Sequence, residues 1–437
     1  MSTTVAIDQL KVGMFVHLDL GWWAHPFALS SFLITSADQI ATIRGLGLQR
    51  VRWSPEKSRE EAPATTPADG AQAPAEAGAA TTDGQAGANV VELPGHESPQ
   101  LRLRAAVAAQ RAADRLCHQQ YSEAGRSWKE AADQVKSAPD AARNTTEGLA
   151  RSLLDKMLID GEVCIRTLSE SLPDRAGAHA LNVTVIAMLM GRVFGLTEQE
   201  MMDMGVGALM HDIGKLELPE RLRHADPHFT QIEHSHYREH VAHGVLAGKA
   251  MGLSPGALLV IAQHHEMADG SGFPQRLNID RMAAAARIVS LINRYDNLCN
   301  PVSVAHALTP HEALSLIFAQ AKTKFDASML NAFIRMMGVY PPGSLVQLTD
   351  DRYGSVVSVN SSRPLKPKVL VVDPKVPMDQ ALLLNLEGQP DLGIRRSLKA
   401  SQLPPAAQEY LSPRPRVAYF FEPATATATE AEAEMAA

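Results

Sequence analysis

The residues of this chain best suited to chemistry are histidines with an aspartate among them: His179, the pair His211-Asp212, His240 and the pair His264-His265. Imidazole nitrogens together with a carboxylate suit a borderline or harder divalent metal such as iron, manganese, nickel or zinc. Thiolate ligation is not indicated, because Cys117, Cys164 and Cys299 stand singly, without metal-binding or disulfide spacing. One helix can present only its i, i+3 and i+4 positions to a point, so a metal here must draw its ligands from several helices. His211-Asp212 closes an apolar run and precedes Ile213-Gly214-Lys215. That places the pair at a helix end beside a glycine turn, where both side chains can face one cavity. The chain has 16 histidines in all, and His224, His228, His234, His236 and His243 are read as surface or satisfied core residues.

The elements that must carry these residues are helical. From about residue 150 to 337 apolar positions recur at helical intervals, with stops at Gly195, Gly214, Gly252 and Gly272, which predicts an all-α bundle over residues 149–340. Residues 1–54 mix strand-like runs at 12–18 and 49–53 with a helix at 36–46, a small α+β domain. Its Trp22-Trp23-Ala24-His25-Pro26-Phe27 cluster is read as core. Residues 55–97 are rich in Ala, Pro, Thr, Gly and acidic side chains and cannot bury enough apolar surface to offset chain entropy, so a disordered linker is expected. A helical connector follows over 98–148. After Pro341-Pro342, runs at 345–348, 354–359 and 368–372 predict strands in a small β-rich extension over 341–422, with a disordered low-complexity tail at 423–437. The predicted fold class is mainly α: a helical bundle with a small α+β N-terminal domain and a short β appendage.

Composition narrows the partners. With 41 basic against 48 acidic residues the net charge is -7, which argues against polymeric nucleic acid and against an anionic membrane surface. No basic stretch followed by an apolar one opens the chain, and the longest apolar run, 183–196, is interrupted by Arg192, so a cytoplasmic protein without a membrane span is expected. No phosphate-binding GxxxxGK[ST] loop and no GxSxG elbow occurs, which leaves ATPase and serine-hydrolase chemistry without their minimum residues.

The run His211-Asp212-Ile213-Gly214-Lys215, followed by His264-His265-Glu266-Met267-Ala268-Asp269-Gly270-Ser271-Gly272-Phe273-Pro274, resembles the HD-GYP subgroup of the HD superfamily. The resemblance extends over roughly residues 150–340, and residues 5–54 resemble the uncharacterised domain that often precedes HD-GYP domains. It implies an HD-type bundle holding two or three metals, most often iron or manganese, that hydrolyses cyclic di-GMP to pGpG or GMP. In such a centre paired cations bind the phosphate oxygens and lower the pKa of a bridging water. Carried over by position, His179, His211, Asp212, His240, His264 and His265 would be metal ligands, Asp212 and Lys215 would be catalytic, and Lys215 would neutralise phosphoryl charge. Asp269, Gly270, Gly272, Phe273 and Pro274 match the substrate loop, with Phe273 in place of the usual tyrosine and able to stack on a base. A signalling partner at the N-terminal domain or the Gly-Phe-Pro loop, and a homodimer, are further expectations of the resemblance.

Three positions depart from the pattern. Asn293, a neutral and weaker metal ligand, stands where a metal-binding carboxylate is usual, with Asp296 at i+3 to compensate. Arg175 stands where members with a third metal have a glutamate, so two metals are expected, and Arg175 is free to hold a substrate phosphate bidentately. The stretch around Val302 lacks the usual arginine. The alternative to an active phosphodiesterase is therefore a degenerate HD-GYP domain that binds nucleotide or a partner protein without efficient turnover. A different HD phosphohydrolase would not require the long Gly270 to Pro274 motif.

Overall fold

The computed structural model describes residues 3–18, 31–58, 99–158, 162–168, 172–226, 228–320, 322–360 and 363–423. The Trp22 to Phe27 cluster, nearly all of the expected linker and the C-terminal tail lie outside the described residues. The chain divides into two compact units that meet in sequence near residue 105.

In the first unit, strands β1 (Thr3–Ala6), β2 (Phe15–His17), β3 (Ser31–Leu33) and β4 (Arg50–Trp53) form an antiparallel sheet in the order β1-β4-β2-β3. Helix α1 (Ala37–Gly45) starts at Ser36, whose hydroxyl accepts from the Gln39 N–H, and it buries Ile40 and Ile43, one turn apart.

The second unit is dominated by helices. Helix α2 (Pro99–Gln134) leads into α3 (Pro139–Met157), which begins with proline at its first turn, where the missing N–H costs nothing. Strand β5 (Val163–Thr167) interrupts them before α4 (Arg175–Val193). Helix α4 is buried all round from Gly177 to Gly191 apart from His179, as a central core helix must be. Among the described residues it alone is long and apolar enough to cross a membrane, and 78% of its apolar window is buried inside the fold. Helices α5 (Glu198–Met210) and α6 (Gln231–Met251) open with reciprocal capping boxes, Thr197 with Glu200 and Thr230 with Glu233. Then come α7 (Pro255–Gln263), α8 (Ala284–Cys299), α9 (Pro310–Gln320) and α10 (Ala327–Met337).

Three C-terminal strands lie close to where alternation placed them, β6 (Leu345–Leu348), β7 (Tyr353–Asn360) and β8 (Lys368–Val371), and two more that it did not mark follow, β9 (Leu384–Asn385) and β10 (Ile394–Leu398). Helix α11 (Pro405–Leu411) and strand β11 (Tyr419–Pro423) end the described chain. Their sheet runs β10-β6-β7-β5-β11, with β8 joining β7 to β9. It therefore recruits β5 from a stretch expected to be wholly helical, and β11 pairs with it from Tyr419 opposite Thr167 to Pro423 opposite Val163. Four of the five β5 residues are buried, so the strand shows no period-2 alternation, and five residues are too few to declare themselves. Arg166, its fourth residue, is buried and paired at 2.6 Å with both Asp114 and Glu422. Tyr419, Phe420 and Phe421 join the same core as α4 and α8, which makes the last strand part of the bundle.

Candidate metal centre

Four helices and the turn after α5 bring the histidines together. His211 and His264 are the residues at which α5 and α7 end, so their rings project beyond the helices. His179 comes from the second turn of α4 and His240 from the middle of α6. Gly214 explains how α6 comes so near: a Cβ there would sit 2.0 Å from the His240 carbonyl oxygen and 2.3 Å from the Gly244 nitrogen. Only a residue without a side chain permits that approach.

Asp212 is the hinge of the arrangement. Its Oδ2 faces His211 Nε2 at 3.5 Å and His179 Nε2 at 3.7 Å, while Oδ1 faces the Nε2 atoms of His240 and His264, both at 3.6 Å. Two donor groups result, His179/His211/Asp212 and Asp212/His240/His264/His265, each with ligand atoms within 4.8 Å of one another. The six residues expected to ligate metal through histidine or aspartate all belong to one or both.

The tautomers follow from the other ring nitrogens. Nδ1 of His211, His240 and His264 lies 2.7, 2.5 and 2.7 Å from the carbonyl oxygens of Ala208, Tyr237 and Ile261, three residues back on each helix. Nδ1 of His179 lies 2.6 Å from Asp296 Oδ2. A carbonyl or carboxylate oxygen only accepts, so each Nδ1 carries the hydrogen and each Nε2 presents a lone pair inward. Those lone pairs face each other at 3.2 Å for His179 with His211 and 3.3 Å for His240 with His264. Asp212 Oδ1 and His265 Nε2 are buried with no hydrogen-bond partner among the described residues. Lone pairs opposed in this way, beside two unsatisfied atoms, are costly unless a cation sits among them. The donor set fits divalent metal.

Electrostatics prepare the same set. Burial drives the pKa values of His211 and His265 well below the usual imidazole range and that of His240 down to about 3, which keeps these rings neutral. Burial works against ionisation of Asp212, but the Lys215 ammonium, 2.5 Å from Oδ2, outweighs it, and the carboxyl is held well below its ordinary value. Lys215 also lies 5.6 Å from the centre of the Tyr237 ring. Its ammonium is thus committed to the Asp212 carboxylate.

The remaining expected residues are placed differently. Asn293 is buried on α8, but its amide oxygen accepts from Asn297 Nδ2 at 2.6 Å, and it is not joined to the histidine cluster by any described hydrogen bond. Asp296, considered as a substitute ligand, spends Oδ2 on His179. Arg175, the first residue of α4, donates to the Asn300 carbonyl at 3.2 Å; burial lowers its pKa, the nearby Arg416 lowers it further, and Asp296 and Asp212 oppose. Arg416 reaches the Val302 carbonyl at 3.5 Å, and so brings a guanidinium to the stretch whose arginine is missing.

In the loop, Gly272 is required, since a Cβ would meet three atoms of the 265–267 backbone at 2.5 Å. Phe273 stacks on His265 with ring centres 4.5 Å apart, and the Arg238 guanidinium lies 5.1 Å from the same ring. One face expected to receive a base is therefore already occupied by His265. Asp269 is exposed and accepts from the Ser271 N–H at 2.9 Å, and Pro274 is exposed too.

Two residues escaped the sequence reading. Glu266 is fully buried and accepts from the N–H groups of Gln275 and Leu277 at 2.7 and 2.8 Å, which ties the loop to the His264-His265 pair beside it. Its position between His265 and the loop was visible, but a buried acid accepting backbone hydrogens leaves no periodic trace. His224 reads from sequence as a surface or satisfied core residue; shielding from water, Arg175 and Lys215 push its pKa down to about 4, which marks it as a neighbour of the centre.

Residues 162–329 match the family model of an HD domain, and residues 2–147 match that of a domain of unknown function, DUF3391. Over these two stretches the chain is similar to an HD domain and, ahead of it, to this N-terminal domain. Among characterised proteins, a cyclic di-GMP phosphodiesterase of Pseudomonas aeruginosa is 26% identical over 400 residues, 90% of this chain and 91% of that protein. The cyclic di-GMP phosphodiesterase response regulator RpfG of Xanthomonas campestris is 28% identical over 152 residues, 34% of this chain and 40% of that protein. A 3'3'-cGAMP-specific phosphodiesterase of Vibrio cholerae is 26% identical over 167 residues, 38% of this chain and 32% of that protein. The chain thus spans nearly all of the first relative and under half of the other two.

Proposed function

We propose that this chain is a phosphodiesterase that uses two divalent cations, iron or manganese, to hydrolyse cyclic di-GMP to pGpG, GMP or both. The observation that carries the reading is the Asp212 carboxylate set between two groups of neutral, inward-facing histidine nitrogens, with Oδ1 and His265 Nε2 unsatisfied. Cations bound there would neutralise phosphate oxygens and acidify water for in-line attack. The protein's own contribution is to keep Asp212 ionised through Lys215 and to hold four imidazoles in one tautomer. Arg175, with Arg416 beside it, offers the guanidinium that would grip a phosphate of the substrate. Asp269, Gly270, Gly272, Phe273 and Pro274 form the loop proposed to border the substrate, with Phe273 steadying His265. Location in the cytoplasm, a signalling partner for the N-terminal domain and a homodimer belong to the same proposal.

A second reading, a degenerate centre that binds nucleotide without efficient turnover, is favoured by Asn293, whose oxygen is taken by Asn297. One experiment separates them. Protein purified without oxygen is assayed for bound iron and manganese, then incubated with cyclic di-GMP and with 3'3'-cGAMP beside a His211→Ala, Asp212→Ala variant. Linear product that vanishes in the variant supports the enzyme; metal-loaded protein that binds a cyclic dinucleotide unchanged supports the second reading.

A further inference from the structure

Asn182, Asn300 and Val417 are distant in sequence and meet at one point in the fold. Asn182 lies three residues after His179 on α4, Asn300 follows the end of α8, and Val417 stands just before β11. The Val417 carbonyl accepts from Nδ2 of Asn182 at 3.0 Å and of Asn300 at 2.9 Å. The Val417 N–H donates to Asn300 Oδ1, and the Tyr419 N–H to Asn182 Oδ1, both at 2.8 Å. Each asparagine spends its second amide hydrogen on Asp296 Oδ1, again at 2.8 Å. Both hydrogens and the oxygen of each side chain are thereby used, so neither amide can turn without leaving a group unpaired. Asp296, fully buried, then receives Nδ1 of His179 on its other oxygen at 2.6 Å.

Pairing with β5 already anchors β11. The doubled asparagine clamp is not needed for that, and its common end point is a ring that faces the metal centre. We infer that the segment Val417–Tyr419 of the C-terminal extension is a positioning element of the centre: it holds Asn182 and Asn300, which fix Asp296, which fixes the orientation and tautomer of His179. This rests on the metal reading above. It also predicts an asymmetry. His211, His240 and His264 are oriented by carbonyls of their own helices, whereas His179 depends on a chain of contacts that ends some 235 residues away. Loss of such an outer partner of a ligating histidine costs roughly 10- to 100-fold in metal affinity.

The test is a calorimetric Mn2+ titration of the metal-free full chain, with Asn300→Ala as the variant. Tyr295→Phe is the control: it removes a hydrogen bond between the Tyr295 and Tyr419 hydroxyls, linking the same two elements at 3.0 Å but outside the clamp. The expected result is that Asn300→Ala weakens one of two binding events about 10- to 100-fold and leaves the other unchanged, while Tyr295→Phe weakens neither at a comparable melting temperature. Two unaltered binding events in Asn300→Ala, or equal weakening of both, would overturn the inference. Asn182→Ala, read the same way, takes its place if Asn300→Ala does not fold. Wild-type protein that takes up no Mn2+ or Fe2+ overturns the metal reading itself, a result visible before any variant is compared.

Discussion

The two halves of the centre are built by different means. His240 and His264 take their orientation from carbonyls one turn back on α6 and α7, and α6 is pressed onto the Gly214 turn by direct backbone contact. His265 is backed by Phe273, on a loop that Glu266 ties down. Every support of that half lies within a few dozen residues. The half containing His179 leans on α8 and on the C-terminal strand, and Asn293 gives it no carboxylate. Locally braced ligands tolerate change elsewhere in the chain; remotely braced ones register it. The two halves should therefore differ in how tightly they hold a cation, the His240 side being the tighter.

The largest effect should come from the group the halves share. Asp212→Asn removes the bridging charge, and cation uptake and turnover should both fall by more than the roughly 100-fold that outer partners are worth. Retention of two bound metals in that variant, read by elemental analysis, would end the bridging assignment. Single substitutions then separate the halves. His179→Ala and His265→Ala should each cost about one equivalent of metal, and if either strips both, the centre is one unit and the comparison fails.

Acidity gives the next effect, on the metal-free protein. A histidine whose pKa is about 3 when folded and near 6.5 when unfolded binds protons preferentially in the unfolded state between those values. The stability associated with a neutral His240 is thus fully present above pH 6.5 and is lost as pH falls toward 3, with His211 and His265 adding in the same direction. At about 1.4 kcal/mol per pKa unit the loss should reach a few kcal/mol. A melting temperature flat from pH 7 to pH 4 would contradict it. Glu266→Ala, which leaves two backbone N–H groups unpaired, should cost about 2–5 kcal/mol in chemical denaturation. It should also weaken the His265 side before the His179 side. The smallest effect is Phe273→Tyr: the ring against His265 is kept, so kcat/KM should stay within about threefold, the span of 0.6 kcal/mol. A larger loss would mean that the position touches substrate through its edge.

That the histidine pairs converge could be read from sequence because their signals are local: an apolar run, a helix end and a glycine within five residues. The strands at 345–348 and 368–371 announced themselves by alternation and turn residues. What escaped had no local signature. Val163–Thr167 is buried on both faces and too short to show a period, and its partner β11 lies far along the chain. The spacing of Asn293 and Asp296 suggested that the aspartate might replace the lost ligand; packing turned it toward His179 Nδ1 instead. Phe273 matched a base-stacking residue by type, yet the fold gave one of its faces to His265.

The register of β11 against β5 carries a consequence for the order in which the protein becomes competent. A ribosome delivers His179, His211 and Asp212 well before Val417, and closing so long a loop is among the slower events in folding. The emerging chain can assemble the His240 side from what it already holds. It cannot brace His179 until strand β11 has been made and docked. The two sides of the histidine cluster are therefore completed at different times, the His179 side after the His240 side.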